Sequence, residues 1–303
     1  MADKEHTETD KRLEEMERHL SAVYRRASKE TGKAWKEYLI ESGEEIADLQ
    51  DAYDEAKKSG DKKLIKKTGY QLGRAKRERT TKDERFRDLT KQLASNISHV
   101  NEIALAYING ELPKIYALNY NAMAPTVDGV GGYSFTLTDA NTVKDLAEKE
   151  RNLLPYKEID GRKDIRWNVK KINSEVFQGI LQGESMDKIA GRFSKVLGMN
   201  ESSAIRNART TVTSAECKGR QDSFEKATAD GIVIEREWVS TEDGRTRHTH
   251  RLLDGQKAAV DKPFHSELGP IMYPGDPTAD PADVYNCRCT VIANVLGFKK
   301  VKK

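Results

Sequence analysis

Cysteine is scarce in this sequence, with three in 303 residues, two of them a single position apart. A disulfide framework is therefore excluded as the basis of the fold, and a reducing compartment is the simplest setting. Long apolar runs are also missing: nothing approaches 18 consecutive apolar residues, and Met1–Asp10 offers charges with no apolar stretch behind them. Neither a membrane-spanning helix nor a secretory signal is expected. An excess of one charge sign is lacking as well, since 52 basic and 49 acidic side chains leave a net charge of +3. Only local patches, not the whole-molecule charge, could attract nucleic acid. No glycine-rich phosphate cradle or recognised catalytic signature stands out.

What the sequence has instead is charge: 33% of residues are Asp, Glu, Lys or Arg, and the mean hydropathy is −0.76. That balance suits long, solvated helices with a narrow apolar stripe better than a deep core. Leu13, Met16, Leu20, Val23 and Ala27 recur at spacings of three and four, predicting a helix over about Asp10–Glu41. Ser42-Gly43 is a plausible break before a second run, Ile46, Leu49, Tyr53 and Ala56. Glu41–Glu55 is nearly all acidic, whereas Lys57–Lys91 is rich in basic pairs, so the two could close as an antiparallel hairpin near Ser59-Gly60-Asp61. Lys62, Lys63, Lys66, Lys67, Arg74, Lys76 and Arg77 form the basic face, which is either a solvated helix surface or a non-specific contact for double-stranded DNA.

A more apolar helix follows over Leu89–Gly110, ended or bent by Leu112-Pro113. Asp128–Gly132 is a candidate hinge, Ser134–Thr138 a candidate extended piece, and Thr138-Asp139 caps a helix running to Leu154-Pro155. Two helices are expected next, about Ile165–Gln182 and Ser185–Gly198, with Gly179 and Gly183 marking a close approach or turn. Asn200-Glu-Ser-Ser then caps a third, ending near Asp230-Gly231. Ile232–Val239 and Cys289–Val295 read as an antiparallel strand pair. The fold class is α+β: mainly helical N-terminal and central regions with a small C-terminal α+β unit.

The unusual chemistry lies between Trp238 and Cys289. His248-Thr-His250 and Cys287-Arg-Cys289 supply imidazoles and thiols suited to zinc, but at tighter spacings than zinc fingers use. His248 and His250 would face opposite sides of a strand, and His265 is a further imidazole in the segment. The other arrangement has His250 hydrogen-bonded to Asp254 or Asp243 and one cysteine buried, with Arg245, Arg247 and Arg288 holding Asp243, Asp254 or Asp283. A Cys287–Cys289 disulfide is disfavoured by ring strain. No cofactor is required, zinc being the one these residues would accept. General-base or thiol catalysis is chemically conceivable, yet no supporting signature accompanies it.

Taken in order, Gly183-Glu-Ser-Met-Asp-Lys-Ile189-Ala, Ala208-Arg209-Thr210, Trp238, Asp243-Gly-Arg245-Thr-Arg247, His250-Arg-Leu-Leu-Asp254-Gly255, Phe264 and Asn286-Cys287-Arg288-Cys289 resemble the phage head morphogenesis, Mu F-like, minor head protein family. The resemblance covers roughly Ile165–Val295, and it implies that His250, which stands at the family's histidine position, is a better ligand candidate than His248 or His265. It implies a non-catalytic minor capsid component of a tailed bacteriophage, with the portal protein as partner and scaffolding or major capsid protein as further candidates. The implied location is the virion, inside the capsid near the portal, and the host cytoplasm during assembly. It also implies a part in genome packaging or delivery, whereas the alternatives are a DNA-binding accessory protein or a metal-dependent nuclease using the His/Asp/Cys cluster. Some members of the family carry a toxin domain after the head domain, and here the eight residues Leu296–Lys303 are too few for one. The expected organisation is a charged helical region over 1–125, a linker and short helix over 126–164, the head domain over 165–296 and a basic tail over 297–303.

Overall fold

The computed structural model describes residues 4–78, 84–122, 138–150, 152–182, 184 and 186–299. Among them the helices are α1 (Lys4–Ser59), α2 (Lys62–Glu78), α3 (Glu84–Tyr120), α4 (Ala140–Lys149), α5 (Gly161–Leu181), α6 (Met186–Ala229), α7 (His248–Leu253) and α8 (Pro281–Val284). The strands are β1 (Ile232–Val239), β2 (Lys257–Ala259), β3 (Phe264–Ser266), β4 (Gly269–Ile271) and β5 (Thr290–Phe298). Long helices with a small antiparallel sheet at the C-terminal end make this the expected α+β class. The candidate hinge, residues 134–137 of the extended piece, and 300–303 of the basic tail lie outside the described residues.

The helices run longer than their punctuation suggests. α1 passes through Ser42-Gly43 without a break, α3 carries Pro113 inside it, and α6 continues through Gly198. An interior glycine costs only about 1 kcal/mol, which burial of Trp35, Tyr38, Val196 and Leu197 along the same helices offsets. Asn200 does not cap a helix. It is buried in the middle of α6, donating to the Val196 carbonyl and to Asn168 Oδ1 while accepting from Asn101. At α4 the cap is where expected, Asp139 accepting from the Thr142 N–H, but the helix stops at Lys149, short of Leu154-Pro155.

The chain forms two compact units. One comprises residues 21–103 and 159–202. In it, α1 and α2 turn at Gly60, which has φ +73°, and a methyl on Gly69 would lie 2.9 Å from Tyr53. Trp35, Tyr38, Phe86 and Phe193 form its aromatic centre, with Trp35 and Phe193 rings 4.8 Å apart. Arg192 ties α5 to α6 through Glu175 and Glu184, and the close approach expected at Gly179 is present, since a Cβ there would meet Ile189 at 2.7 Å.

The other unit comprises residues 1–20, 104–158 and 203–303. Its sheet has the order β2-β1-β5, with β1 antiparallel to both neighbours; Trp238 sits opposite Val291 and Val239 opposite Thr290. β1 alternates buried and half-buried positions, so Ile232, Ile234, Arg236 and Trp238 face inward. Cys217, Phe224 and Ala227 of α6 pack against this face together with Leu253, Phe264, Ile271, Cys287, Cys289 and Val291. That apolar cluster fixes where the His/Cys segments must lie.

Candidate functional site

His248 and His250 fall on a helix, not a strand. α7 is two turns at most, with Arg247 as its N-cap, and a two-residue step turns the imidazoles about 200° apart around the axis. His248 is consequently exposed, 3.9 Å from Glu267, whereas His250 is 2% exposed. The His250 ring meets the edge of Trp238 at 5.7 Å, and Trp238 meets Phe264 at 5.4 Å, a T-shaped stack that seats the imidazole. Ser240 Oγ donates to the His250 carbonyl at 2.6 Å.

Cys287 and Cys289 lie just before β5, and both are buried rather than one. Both are free thiols, as is Cys217. Their loop is held from several sides. Thr213 donates to the Cys287 carbonyl at 2.7 Å, Thr241 donates to the Arg288 carbonyl at 2.7 Å, and the Asn286 N–H donates to Thr210. Asn286 is the one non-glycine with positive φ among the described residues, at 54°, a conformation Asn tolerates. This twist turns Cys287 and Cys289 to the same interior side.

His250 Nδ1 lies 3.6 Å from Cys287 Sγ and 3.3 Å from Cys289 Sγ. Of the two carboxylates expected to pair with His250, Asp254 and Asp243, neither does. Asp254 instead accepts from the Ser240 N–H, and Asp243 is taken by Arg288. The carboxylate facing His250 is Asp283, with Oδ1 3.5 Å from Nε2, itself held by Thr249 and Ser266. The sequence suggests Asp283 only as an arginine partner, because nothing in residue spacing ties α8 to α7. Within the pair of sulfurs, a hydrogen bond from Cys287 and the nearby His250 pull the Cys289 thiol down, while that same bond and burial push Cys287 up.

Around the sulfurs the arginines behave differently from one another. Arg288 grips Asp243 with two nitrogens at 2.6 and 2.8 Å, and this contact holds the Asp243 carboxyl well below the usual range. Arg245 is mostly exposed and touches the same carboxylate at 3.4 Å. Arg247 has a buried Nη1 without a hydrogen-bond partner. These three and Arg209, itself paired with Glu17 at 2.6 Å, line a cavity of about 310 Å³ that His250, Asn286, Cys287 and Cys289 also line. Gly255, with φ +70°, returns the chain by donating its N–H to the Trp238 carbonyl. Trp238, Asp243, Arg245, Arg247, His250, Asp254, Gly255, Asn286, Cys287 and Cys289 thus gather at one end of the sheet. Chemically the trio can share protons or hold a soft metal ion.

Two buried arginines at the core of this unit escape a reading of the sequence. Arg236 is fully buried on β1 and donates to the carbonyls of Ala259, Lys262 and Met272 and to Gln221; burial lowers its guanidinium to about 10. Arg220 on α6 donates to Asn119 and to the Val291 carbonyl. The only signal is an arginine at an inward position of an alternating strand.

The basic face belongs to the other unit. Lys62, Lys63, Lys66, Lys67 and Arg74 are exposed on α2, which buries Thr68 and Leu72 instead; the side chains of Lys76 and Arg77 lie outside the described residues. No helix among the described residues is long and apolar enough to cross a membrane.

The long helices, the sheet order and the His/Cys end together define an α+β protein with a small C-terminal α+β unit. Residues 170–292, less than half of the chain, match the model of the Phage Mu protein F like protein family. Over 94% of its length it is 27% identical to the minor head protein GP7 of Bacillus phage SPP1, covering 87% of that protein. It is also 33% identical over 133 residues, 43% of this chain, to the NAD(+)–arginine ADP-ribosyltransferase EFV of Enterococcus faecalis (strain ATCC 700802 / V583), of which it spans only 26%. No solved structure matches.

Proposed function

We propose that this protein is a non-catalytic minor capsid component that associates with the portal during procapsid assembly and aids genome packaging or delivery. The observation that carries this reading is the likeness to a minor head protein along nearly the whole of both chains, 94% of this one and 87% of that one. The match to the ADP-ribosyltransferase is confined to about a quarter of that protein, so its activity is not carried across. We take 165–296 as the head domain, with 1–125 as its helical extension, 126–164 as the connecting linker and short helix, and 297–303 as a basic tail. The working location is the capsid interior near the portal, reached from the host cytoplasm, where scaffolding or major capsid protein would be further neighbours.

Co-expression with the portal protein of the same phage, followed by pull-down and light scattering at low and high salt, tests the reading. A complex that survives high salt is expected, because a docking surface relying on buried apolar area is poorly screened. Absence of a complex at every salt concentration would remove portal docking from the mechanism.

The exposed lysines of α2 favour a second, compatible activity, non-specific contact with double-stranded DNA. Phosphate contact by such a face needs no groove-reading element and would act on packaged or entering DNA without sequence preference.

A further inference from the structure

We propose that His250, Cys287 and Cys289 bind one Zn²⁺ ion through three protein ligands, His250 Nδ1 and the two sulfurs, with the fourth position left to water from the adjoining cavity. The ligand atoms of these residues all lie within 4.8 Å of one another, and all three residues are buried. Bond lengths of about 2.0–2.1 Å to nitrogen and about 2.3 Å to sulfur give a tetrahedral N···S edge of about 3.6 Å. The observed separations from Nδ1 are 3.3 and 3.6 Å. Hydrogen bonding accounts for this geometry less well, since Nδ1 has one lone pair or one proton and cannot serve two thiols equally.

The surroundings suit a metal centre. The Cys289 N–H points at Cys287 Sγ from 3.4 Å, a donor that steadies a thiolate ligand. On the far side of the ring Asp283 faces Nε2, which has no hydrogen-bond partner of good geometry. A carboxylate there selects the tautomer with the proton on Nε2 and frees Nδ1 to ligate. Asp283 is separated from the sulfurs by the imidazole and is not the fourth ligand. Nor is His248, whose side chain points to solvent near Glu267. Two thiolates, a neutral imidazole and Zn²⁺ sum to zero charge, so the filled centre avoids the cost of burying a net charge. Binding displaces the thiol protons to solvent and joins α7 to the start of β5, a staple for a loop-rich end of the domain. This inference stands independently of portal docking.

The test uses the full chain, produced in zinc-supplemented medium and also reconstituted anaerobically with Zn²⁺ or Co²⁺. One equivalent of zinc per chain is expected, and Co²⁺ should show thiolate charge-transfer and tetrahedral d–d bands. Cys287→Ser, Cys289→Ser and His250→Ala should each lose the metal, whereas His248→Ala should retain a full equivalent. Removing zinc from the wild type with a chelator should lower Tm and make Cys287 and Cys289 reactive towards a thiol reagent. Failure to reach one equivalent after reconstitution, or Co²⁺ bands without thiolate character, overturns the proposal. So does undiminished metal in the folded serine variants. If those variants do not fold, the wild-type cobalt spectrum and the chelator-dependent thiol reactivity decide it.

Discussion

His6, near the start of α1, donates or accepts at 2.7 Å from the buried Glu216 of α6, which also accepts from Thr290 and faces Arg220. Burial by itself would lower the His6 pKa, but the hydrogen bond and charge of Glu216 outweigh it, and the net direction is upward. A histidine raised above its unfolded value near 6.5 contributes stability that is fully present below that pH. The contribution is lost as pH rises through the folded pKa. Urea denaturation across this range should show wild-type stability falling relative to His6→Gln as the solution becomes more alkaline. At acidic pH the substitution should cost about 1.5–3 kcal/mol, the range for a hydrogen bond to a charged group. A constant difference at all pH values would mean that the pair carries no proton-linked stability.

The same logic of close approach governs the elements. Gly219 lies where α6 crosses α3, and a methyl there would sit 2.6 Å from the Tyr116 carbonyl oxygen. Gly275 has φ +79° and would place a methyl 2.8 Å from the Ser214 nitrogen. Neither neighbour can yield, because each is helix backbone. Gly219→Ala and Gly275→Ala should each destabilise by about 1–3 kcal/mol, from forced separation in one case and added backbone strain in the other. Gly198, inside α6, should behave oppositely, because a methyl added there would meet nothing within 4 Å. Gly198→Ala is expected to gain about 0.5–1 kcal/mol from helix propensity. Denaturant midpoints of the three variants check the contrast, and a stabilised Gly219→Ala would refute the packing account. Local pattern treats these glycines alike as breakers or turns. What separates them is a neighbour distant in sequence, and hence invisible to that pattern. The β1–β5 pair was legible because alternation of β-branched residues is itself local. The continuity of α1, α3 and α6 was not, since burial along the helix decides whether a glycine or proline ends it.

For the whole molecule, a net charge of +3 leaves little long-range attraction for DNA, so any binding should come from the α2 face. Affinity for a random duplex should fall steeply with salt. Replacing Lys62, Lys63, Lys66 and Lys67 by Gln should weaken binding for all sequences alike and reduce the logarithmic salt slope by up to about 3–4, near 0.9 per phosphate contact. An unchanged slope in a titration by fluorescence anisotropy would place the contact elsewhere or nowhere.

By itself the sequence determined the fold class, the strand pair, the α1–α2 turn and the ordered motif that resembles the Mu F-like minor head proteins. Each is written in local periodicity or in an ordered set of residues. Only the tertiary structure decided that both cysteines turn towards His250, that Asp283 stands behind it, and that Asp243 belongs to Arg288. Those choices depend on a two-residue step around α7, on the left-handed Asn286, and on the burial of Trp238 against Phe264. They bring together α7, α8 and the start of β5, segments with no mutual spacing rule, because the apolar face of the sheet has to be covered.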